Sequence, residues 1–366
     1  MKVAVLIDTW FPFIGGGQIN ALEISKRIAA KGIQVDIITR NCGKENITYP
    51  NNLKIFKLGT ESKPSSQVSK IIYCFKAFTF LVKNRYDLVS AHAFLPGITA
   101  KFITVFKSTP GILTVHGTSI GTNLNNRASL WIEKCILTKT LYSAQITVSQ
   151  DFFKIKNVNK NIFYISNGID LKEFDKVKFQ KSKNPRLIFI GRFHKQKNIP
   201  NLIKAVKIAR NKISNLELIL VGDGQEKENI TRLIQKLNLS KSITLIGPKR
   251  HHDLVKLLKS STAFVLPSIY EGQPLSLLEA WGAKLPPVVS NTGDCRYLVQ
   301  NGKNGYLIDN PQDAHEIANV IVKALSDKNL AKRGQIGYNF VKRNFSWEKS
   351  AAATLDVYKS LTKSQN

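Results

Sequence analysis

Cysteine is scarce: four residues in 366, at Cys42, Cys74, Cys135 and Cys295, far apart and with no CxxC pair. That scarcity excludes a disulfide scaffold and a paired-cysteine zinc site, and it fits a reducing, cytoplasmic compartment. No stretch reaches the roughly 18 uninterrupted apolar residues that a membrane span needs. The first residues, Met1-Lys2-Val3-Ala4-Val5-Leu6-Ile7-Asp8, hold a short apolar run closed by an acid. They predict a buried strand and not a signal peptide. Fixed-period repeats and low-complexity tracts are also lacking. With no helix-turn-helix, zinc finger or RNP-like aromatic pattern, nucleic acid is not an expected partner.

Acidic residues are the second shortage. Against 25 Asp and Glu stand 54 Lys and Arg, a formal net charge of +29. Such an excess attracts phosphates, whether in nucleic acid, anionic lipid or a charged substrate. Lysines such as Lys323, Lys328 and Lys332 sit on ordinary helical stretches, so part of the excess reads as general composition. The remainder is that of a globular protein, 43% hydrophobic and 22% charged, long enough for two α/β domains.

The first half alternates short apolar strands with amphipathic stretches. Strands are expected at Val3–Ile7, Gln34–Thr39, Leu53–Leu58, Leu88–Ala91, Ile112–Val115 and Gln145–Val148. Helices are expected at Gln18–Lys31, Gln67–Asn84, Gly97–Phe106 and Ser129–Leu141. In Gln67–Asn84, Ile71, Phe75, Phe78 and Val82 form one helical stripe assigned to the core. Ile72 and Phe80 fall on another side, close to Lys76 and Lys83. After a charged, weakly apolar segment at 175–184, the best candidate linker, a second series begins. Its strands are Leu187–Ile190, Leu216–Val221, Ser242–Ile246, Ala263–Leu266, Pro287–Ser290 and Tyr306–Ile308. The class is α/β, with two Rossmann-like, doubly wound parallel-sheet domains in series. Ligands of such sheets bind beyond the carboxyl ends of the strands, so the loops after each strand carry the search.

The most informative loop is Pro267-Ser268-Ile269-Tyr270-Glu271-Gly272-Gln273-Pro274-Leu275, which follows Ala263–Leu266 and opens a helix containing Glu279. Pro274 suits a first helical turn, where a missing N–H costs nothing. The helix end offers free amides and a positive dipole, a phosphate site. Glu271 and Glu279 would repel phosphate, but carboxylates accept hydrogen bonds from sugar hydroxyls; a solvated acidic turn is the plainer alternative. A second loop, Gly191-Arg192-Phe193-His194-Lys195-Gln196-Lys197, also joins strand to helix, and Arg192 and Lys197 could grip a diphosphate from two sides. A third, Ile14-Gly15-Gly16-Gly17-Gln18, is not GxGxxG and is a weak dinucleotide fingerprint, yet its glycines permit close backbone approach. His116, in Thr114-Val115-His116-Gly117-Thr118, stands at a strand end, as does His92 in Ala91-His92-Ala93.

These motifs resemble those of the GT-B fold glycosyltransferases of family 4, the group 1, retaining enzymes. Glu271 and Glu279 lie in the spacing of that family's signature, and the glycine loop, Thr114–Gly117, Ile165–Asp170, Gly191-Arg192 with Lys197, Val221–Gly224, Asn304–Ile308 and Ser346–Leu361 follow in order. The resemblance implies two domains facing each other across a cleft. One spans 1–175 on the acceptor side, completed by a C-terminal helix at 346–366; the other spans 184–345 and holds the nucleotide sugar. It implies that Glu271 reads donor-sugar hydroxyls, that Glu279 binds the ribose, and that Arg192 and Lys197 neutralise the leaving diphosphate. It sets His116 against the donor sugar, and Gly15 and Gly16 near the diphosphate and acceptor. Gly272, Gln273, Pro274 and Leu275 complete the expected donor site, and His92 is the candidate acceptor contact. Gln273-Pro274 departs from the Phe-Gly of many members, so donor preference does not carry over.

The expected activity is retaining transfer of a hexose or N-acetylhexosamine from a nucleotide-diphosphate sugar to a glycan or lipid-linked acceptor. The nucleotide sugar is a substrate, so no cofactor is expected. With no DxD pair, no metal is expected either. The resemblance implies front-face attack, helped by the donor's own phosphate oxygen. A UDP-sugar 2-epimerase of the same architecture and a non-catalytic sugar-nucleotide-binding relative are the alternatives. The acceptor is expected on the N-terminal domain, whose loops, such as 121–127, carry no readable code. The lysines bordering apolar residues in Gln67–Asn84 suit a peripheral position on an anionic membrane face.

Overall fold

The computed structural model describes residues 1–13, 15–45, 47–117, 127–156 and 158–363. They form two compact units: Met1–Gly168 with Trp347–Asn366, and Ile169–Ser346. The expected linker at 175–184 lies inside the second unit. Its amino-terminal side is anchored there: Phe174 and Val177 are buried in that unit's core, and the Tyr338 hydroxyl donates to Asp175 at 2.9 Å. Residues 178–181 beyond it are exposed and lie outside any helix or strand.

In the first unit, seven parallel strands run β1 (Lys2–Ile7), β2 (Gln34–Arg40), β3 (Leu53–Leu58), β4 (Leu88–His92), β5 (Gly111–Val115), β6 (Ala144–Thr147) and β7 (Ile162–Tyr164). Their spatial order is β3-β2-β1-β4-β5-β6-β7, all in parallel register. Strands β1, β4, β5 and β6 are buried along almost their whole length, as a sheet covered on both faces requires. Strand β7, at the sheet edge and only three residues long, has too short a pattern to be legible in sequence.

Helix α1 (Gly16–Ala30) connects β1 to β2, and α2 (Gln67–Lys83), α3 (Phe94–Lys107) and α4 (Arg127–Lys139) connect the strands from β3 to β6. The last three connections all advance across the sheet in one direction. Right-handed crossovers therefore lay α2, α3 and α4 side by side on one face and α1 on the other. The C-terminal helix Trp347–Lys363 packs on α1, where Ser350 donates to the Ser166 carbonyl at 2.7 Å and Arg27 reaches Glu348 at 2.9 Å.

Helix α2 corrects the expected core stripe. Its buried residues are Tyr73, Ala77 and Leu81, whereas Ile71 and Phe75 are exposed and Phe78 and Val82 only half-buried. The Tyr73 hydroxyl donates to the Ile38 carbonyl at 2.9 Å, and the small Ala77 lets the helix lie close to the sheet. With apolar residues on every side of α2, periodicity alone could not say which stripe faces inward.

In the second unit the connecting order is α5 (Lys172–Lys176), β8 (Arg186–Ile190), α6 (Ile199–Ala209), β9 (Glu217–Val221), α7 (Lys227–Lys236), β10 (Ile243–Ile246) and α8 (His251–Ser260). It continues with β11 (Ala263–Leu266), α9 (Leu275–Gly282), β12 (Pro287–Ser290), α10 (Cys295–Leu298), β13 (Tyr306–Ile308), α11 (Ala314–Leu325) and α12 (Leu330–Asn344). The parallel strands lie in the order β10-β9-β8-β11-β12-β13. Strand order reverses between β1 and β4 in one unit and between β8 and β11 in the other. Those two switch points open crevices beyond the strand ends, where doubly wound sheets bind ligands.

Candidate active site

At the switch point of the second unit, the loops after β8 and β11 are stitched to each other. Gln196 donates from Nε2 to the Tyr270 carbonyl at 2.8 Å, and its own carbonyl accepts from the Ile269 amide at 2.8 Å. Asn198, in the left-handed region at φ 55°, ends the first loop, and its Nδ2 donates to the Pro267 carbonyl at 3.2 Å. Between these ties Lys197 Nζ lies 2.5 Å from Glu271 Oε1, with side chains only 15% and 6% exposed. The structure thus brings Lys197 and Glu271 together as a partly buried ion pair, a contact that separate readings of the two loops could not contain.

Arg192 is exposed, and among the described residues its guanidinium has no hydrogen bond or ion pair. It is available to an anionic ligand. His194 next to it is held below the ordinary imidazole range by burial and by the positive charge of Arg192, with Lys195 and Lys197 adding to the effect and Glu226 opposing it.

Glu271 leads into Gly272 and Gln273, both buried. Pro274 is the residue capping α9 (φ −71°, ψ 122°) and not its first helical residue, and no side chain caps the helix's first turn. The open amide end therefore begins at Leu275, directly after the Glu271 loop. Burial raises the Glu279 carboxyl above its ordinary range, with His251 opposing. Among the described residues no side chain or amide hydrogen-bonds to it.

A third loop, after β12, braces the site and escaped the sequence reading. The Asp294 amide donates to the Gly272 carbonyl at 2.9 Å, and Gln273 Nε2 donates to Asp294 Oδ2 at 3.3 Å. Gly293, at φ +51°, lets the backbones meet, because a Cβ there would stand 2.2 Å from the Glu271 carbonyl oxygen. Cys295, buried behind this loop, has its thiol pushed well up by burial, with the Glu271 charge adding to the shift. The signal for all of them was position: they follow a strand at its carboxyl end.

In the first unit, the switch-point loops gather His116, His92 and the glycine loop. His116 follows β5 and His92 ends β4. Their rings stack at 5.2 Å between centroids, with His92 Nδ1 2.9 Å from His116 Nε2. One of the two nitrogens carries the shared hydrogen. Burial lowers the His116 pKa to about 4 and holds His92 well below the usual range, with His116 adding to the effect. Both rings are neutral at physiological pH. His92 is 4% exposed, and its Nδ1 is engaged with the His116 ring.

Gly15 precedes α1 and Gly16 begins it, with no side chain capping the helix. The closest approach falls to Gly17, where a Cβ would sit 3.2 Å from His116 Cδ2. Ile14 and Thr118, which belong to these motifs, lie outside the described residues, as do residues 121–126 of the loop 121–127 considered for the acceptor.

The chain matches two family models in sequence, Glycosyltransferase Family 4 over residues 14–173 and Glycosyl transferases group 1 over residues 171–342. It is 28% identical to the UDP-Gal:alpha-D-GlcNAc-diphosphoundecaprenol alpha-1,3-galactosyltransferase of Escherichia coli, covering 93% of this chain and 95% of that one. Against a glycogen synthase of Mycobacterium tuberculosis it is 25% identical, over 75% of this chain and 69% of the other. Among solved structures, sucrose-phosphate synthase from Thermosynechococcus elongatus matches with a TM-score of 0.86, 22% identity and 99% coverage of both chains. The Anabaena protein HepE in complex with UDP-glucose matches with a TM-score of 0.77 at 17% identity, over 98% of this chain and 100% of that one. This is the GT-B fold, and the chain belongs to the group 1 glycosyltransferases of family 4.

Proposed function

We propose that this glycosyltransferase moves a hexose or N-acetylhexosamine, with retention of anomeric configuration, from a UDP-sugar to a lipid-linked or glycan acceptor in cell-surface glycan synthesis. The observation that carries it is the Lys197–Glu271 pair at the β8/β11 switch point, in whose β8 loop Arg192 is exposed. Cations and a carboxylate set side by side match a ligand that offers a diphosphate at one end and hydroxyls at the other.

Cleavage of the donor leaves negative charge on the diphosphate and an oxocarbenium-like sugar. Fixed cations and amides aimed at the growing charge are usually the largest contribution to such a reaction. Here Arg192, Lys197 and the uncapped first turn of α9 supply them. Glu271 accepts from sugar hydroxyls while Lys197 holds its other side, so donor position and leaving-group charge are tied to one rigid pair. Glu279, without donors of its own, is suited to the two ribose hydroxyls. Support for UDP and for a lipid-linked acceptor comes from the relatives: HepE has been solved with UDP and with UDP-glucose, and the galactosyltransferase is named for a diphosphoundecaprenol acceptor.

A screen of UDP-, GDP- and ADP-sugars for slow nucleoside diphosphate release tests the donor assignment. Release is expected with a UDP-sugar and is expected to drop in the Arg192→Ala variant. A 2-epimerised sugar as the sole product would instead make the chain an epimerase, and binding without turnover would make it a sugar-nucleotide receptor.

A further inference from the structure

The outer surface of the α2–α3–α4 layer is apolar where a globular protein is ordinarily polar. On α2, Val68, Ile71, Ile72 and Phe75 are all exposed, Phe75 by 71%. Their spacing of three and four residues makes a single stripe along the helix. It is the stripe opposite Tyr73, Ala77 and Leu81, which the sheet buries. Phe78, one turn beyond Phe75, brings its ring 5.9 Å from that of Phe106 on α3. There the patch continues through Phe102, Val105 and Phe106, the last 68% exposed. Helix α4 adds Trp131, 65% exposed, and Ile132. Single exposed apolar residues need no explanation, but a contiguous group of this size marks a surface that meets something.

Charge identifies the partner. Neither α2 nor α3 contains an Asp or Glu, and the single acid of α4, Glu133, is buried. Between Lys63 and Pro110 the sequence has seven Lys and Arg but only one acidic residue, Asp87. Lys76 and Lys83 are exposed on α2, Arg85 follows it, and Lys134 is exposed on α4. Exposed aromatics among uncompensated lysines fit a surface that is apolar a few ångströms deep and negatively charged at its face. A protein partner would need that same combination of acid and grease; a second copy of this chain, with the same lysines, would repel.

We propose that the α2–α3–α4 face binds the surface of an anionic phospholipid bilayer, inserting Phe75, Phe106 and Trp131 among the headgroups while the flanking lysines meet the phosphates. No helix among the described residues is long and apolar enough to cross a membrane, so the contact lies on the surface. The assignment is independent of the transfer reaction, because it concerns only the first unit's outer helices and is tested without sugar nucleotide.

The chain provides its own probe. Of four tryptophans, Trp10, Trp281 and Trp347 are buried, and Trp131 alone is exposed. The full chain is mixed with vesicles of phosphatidylglycerol or phosphatidylcholine, with and without bromine on the acyl chains, and tryptophan emission and co-sedimentation are recorded. Binding to phosphatidylglycerol is expected to be at least tenfold tighter than to phosphatidylcholine and to weaken with salt. Brominated lipid is expected to quench the wild-type signal and not that of Trp131→Phe. The Phe75→Ser/Phe106→Ser variant, its fold checked by melting temperature, is expected to lose binding at least tenfold. Equal binding by that variant, indifference to lipid charge, or no quenching of Trp131 would overturn the proposal. So would a lipid-free dimer that the same variant dissolves, since the patch would then serve self-association.

Discussion

The Lys197–Glu271 pair should show itself as a coupling energy separable from its role in turnover. With the two side chains 15% and 6% exposed and 2.5 Å apart, removal of either partner strands a charge largely out of water. Breaking a pair of that kind typically costs about 3 kcal/mol or more. In a domain of this size each kcal/mol moves the melting temperature by about 2–4 °C. Lys197→Met and Glu271→Gln are therefore each expected to lower the second unit's melting by roughly 6–12 °C. The double variant leaves no stranded charge and should recover part of the loss, a coupling of about 2 kcal/mol in urea denaturation. Turnover should behave differently. Each single variant should lose on the order of 10²-fold in kcat, and the double should recover none of it, because positioning and charge stabilisation are both gone. Additive losses in stability would refute the pairing. Recovery of activity in the double variant would show that the pair only holds the loops.

Glu279→Ala should raise the KM for the donor about tenfold with kcat nearly unchanged, since a group at the ribose binds ground state and transition state alike; steady-state kinetics with varied donor checks this. The histidine pair predicts a pH effect. Burial places the His116 pKa at about 4, below its unfolded value, so the stability from keeping it neutral is present above the unfolded value near 6.5 and lost as pH falls toward 4. Melting temperatures of wild type should fall across that window, and His92→Gln/His116→Gln should lose part of the decline. Parallel curves would show that the pair is not held neutral by the fold.

Strands buried on both faces were legible because such burial leaves little freedom of composition, and β11, β12 and β13 begin and end where expected. Helix α2 was legible as a helix but not in its orientation. The choice of inward face depended on the reach of Tyr73 to Ile38 and on the small size of Ala77, neither of which periodicity encodes. At the site, Arg192, Lys197, Glu271 and Glu279 could be named because each sits in a loop or helix start after a parallel strand. Their pairing could not, since Lys197 and Glu271 are 74 residues apart in sequence and meet only through the β8/β11 adjacency. The contact between His92 and His116 was hidden for a related reason. A strand-end histidine can face a ligand or a neighbour, and here the His116 ring occupies its Nδ1. The bracing loop at Gly293 and Asp294 carried no charge pattern, only a place in the topology.

The most direct measurement is the anomeric outcome of the reaction. The enzyme is incubated in EDTA with a UDP-α-hexose and a lipid-linked sugar acceptor, and the anomeric proton and released nucleotide are followed by NMR from the first turnovers. UDP release matched by an α-linked product is expected, undiminished by EDTA and lost with Glu271→Ala. A β-linked product, or transfer that stops when metal is removed, would contradict it.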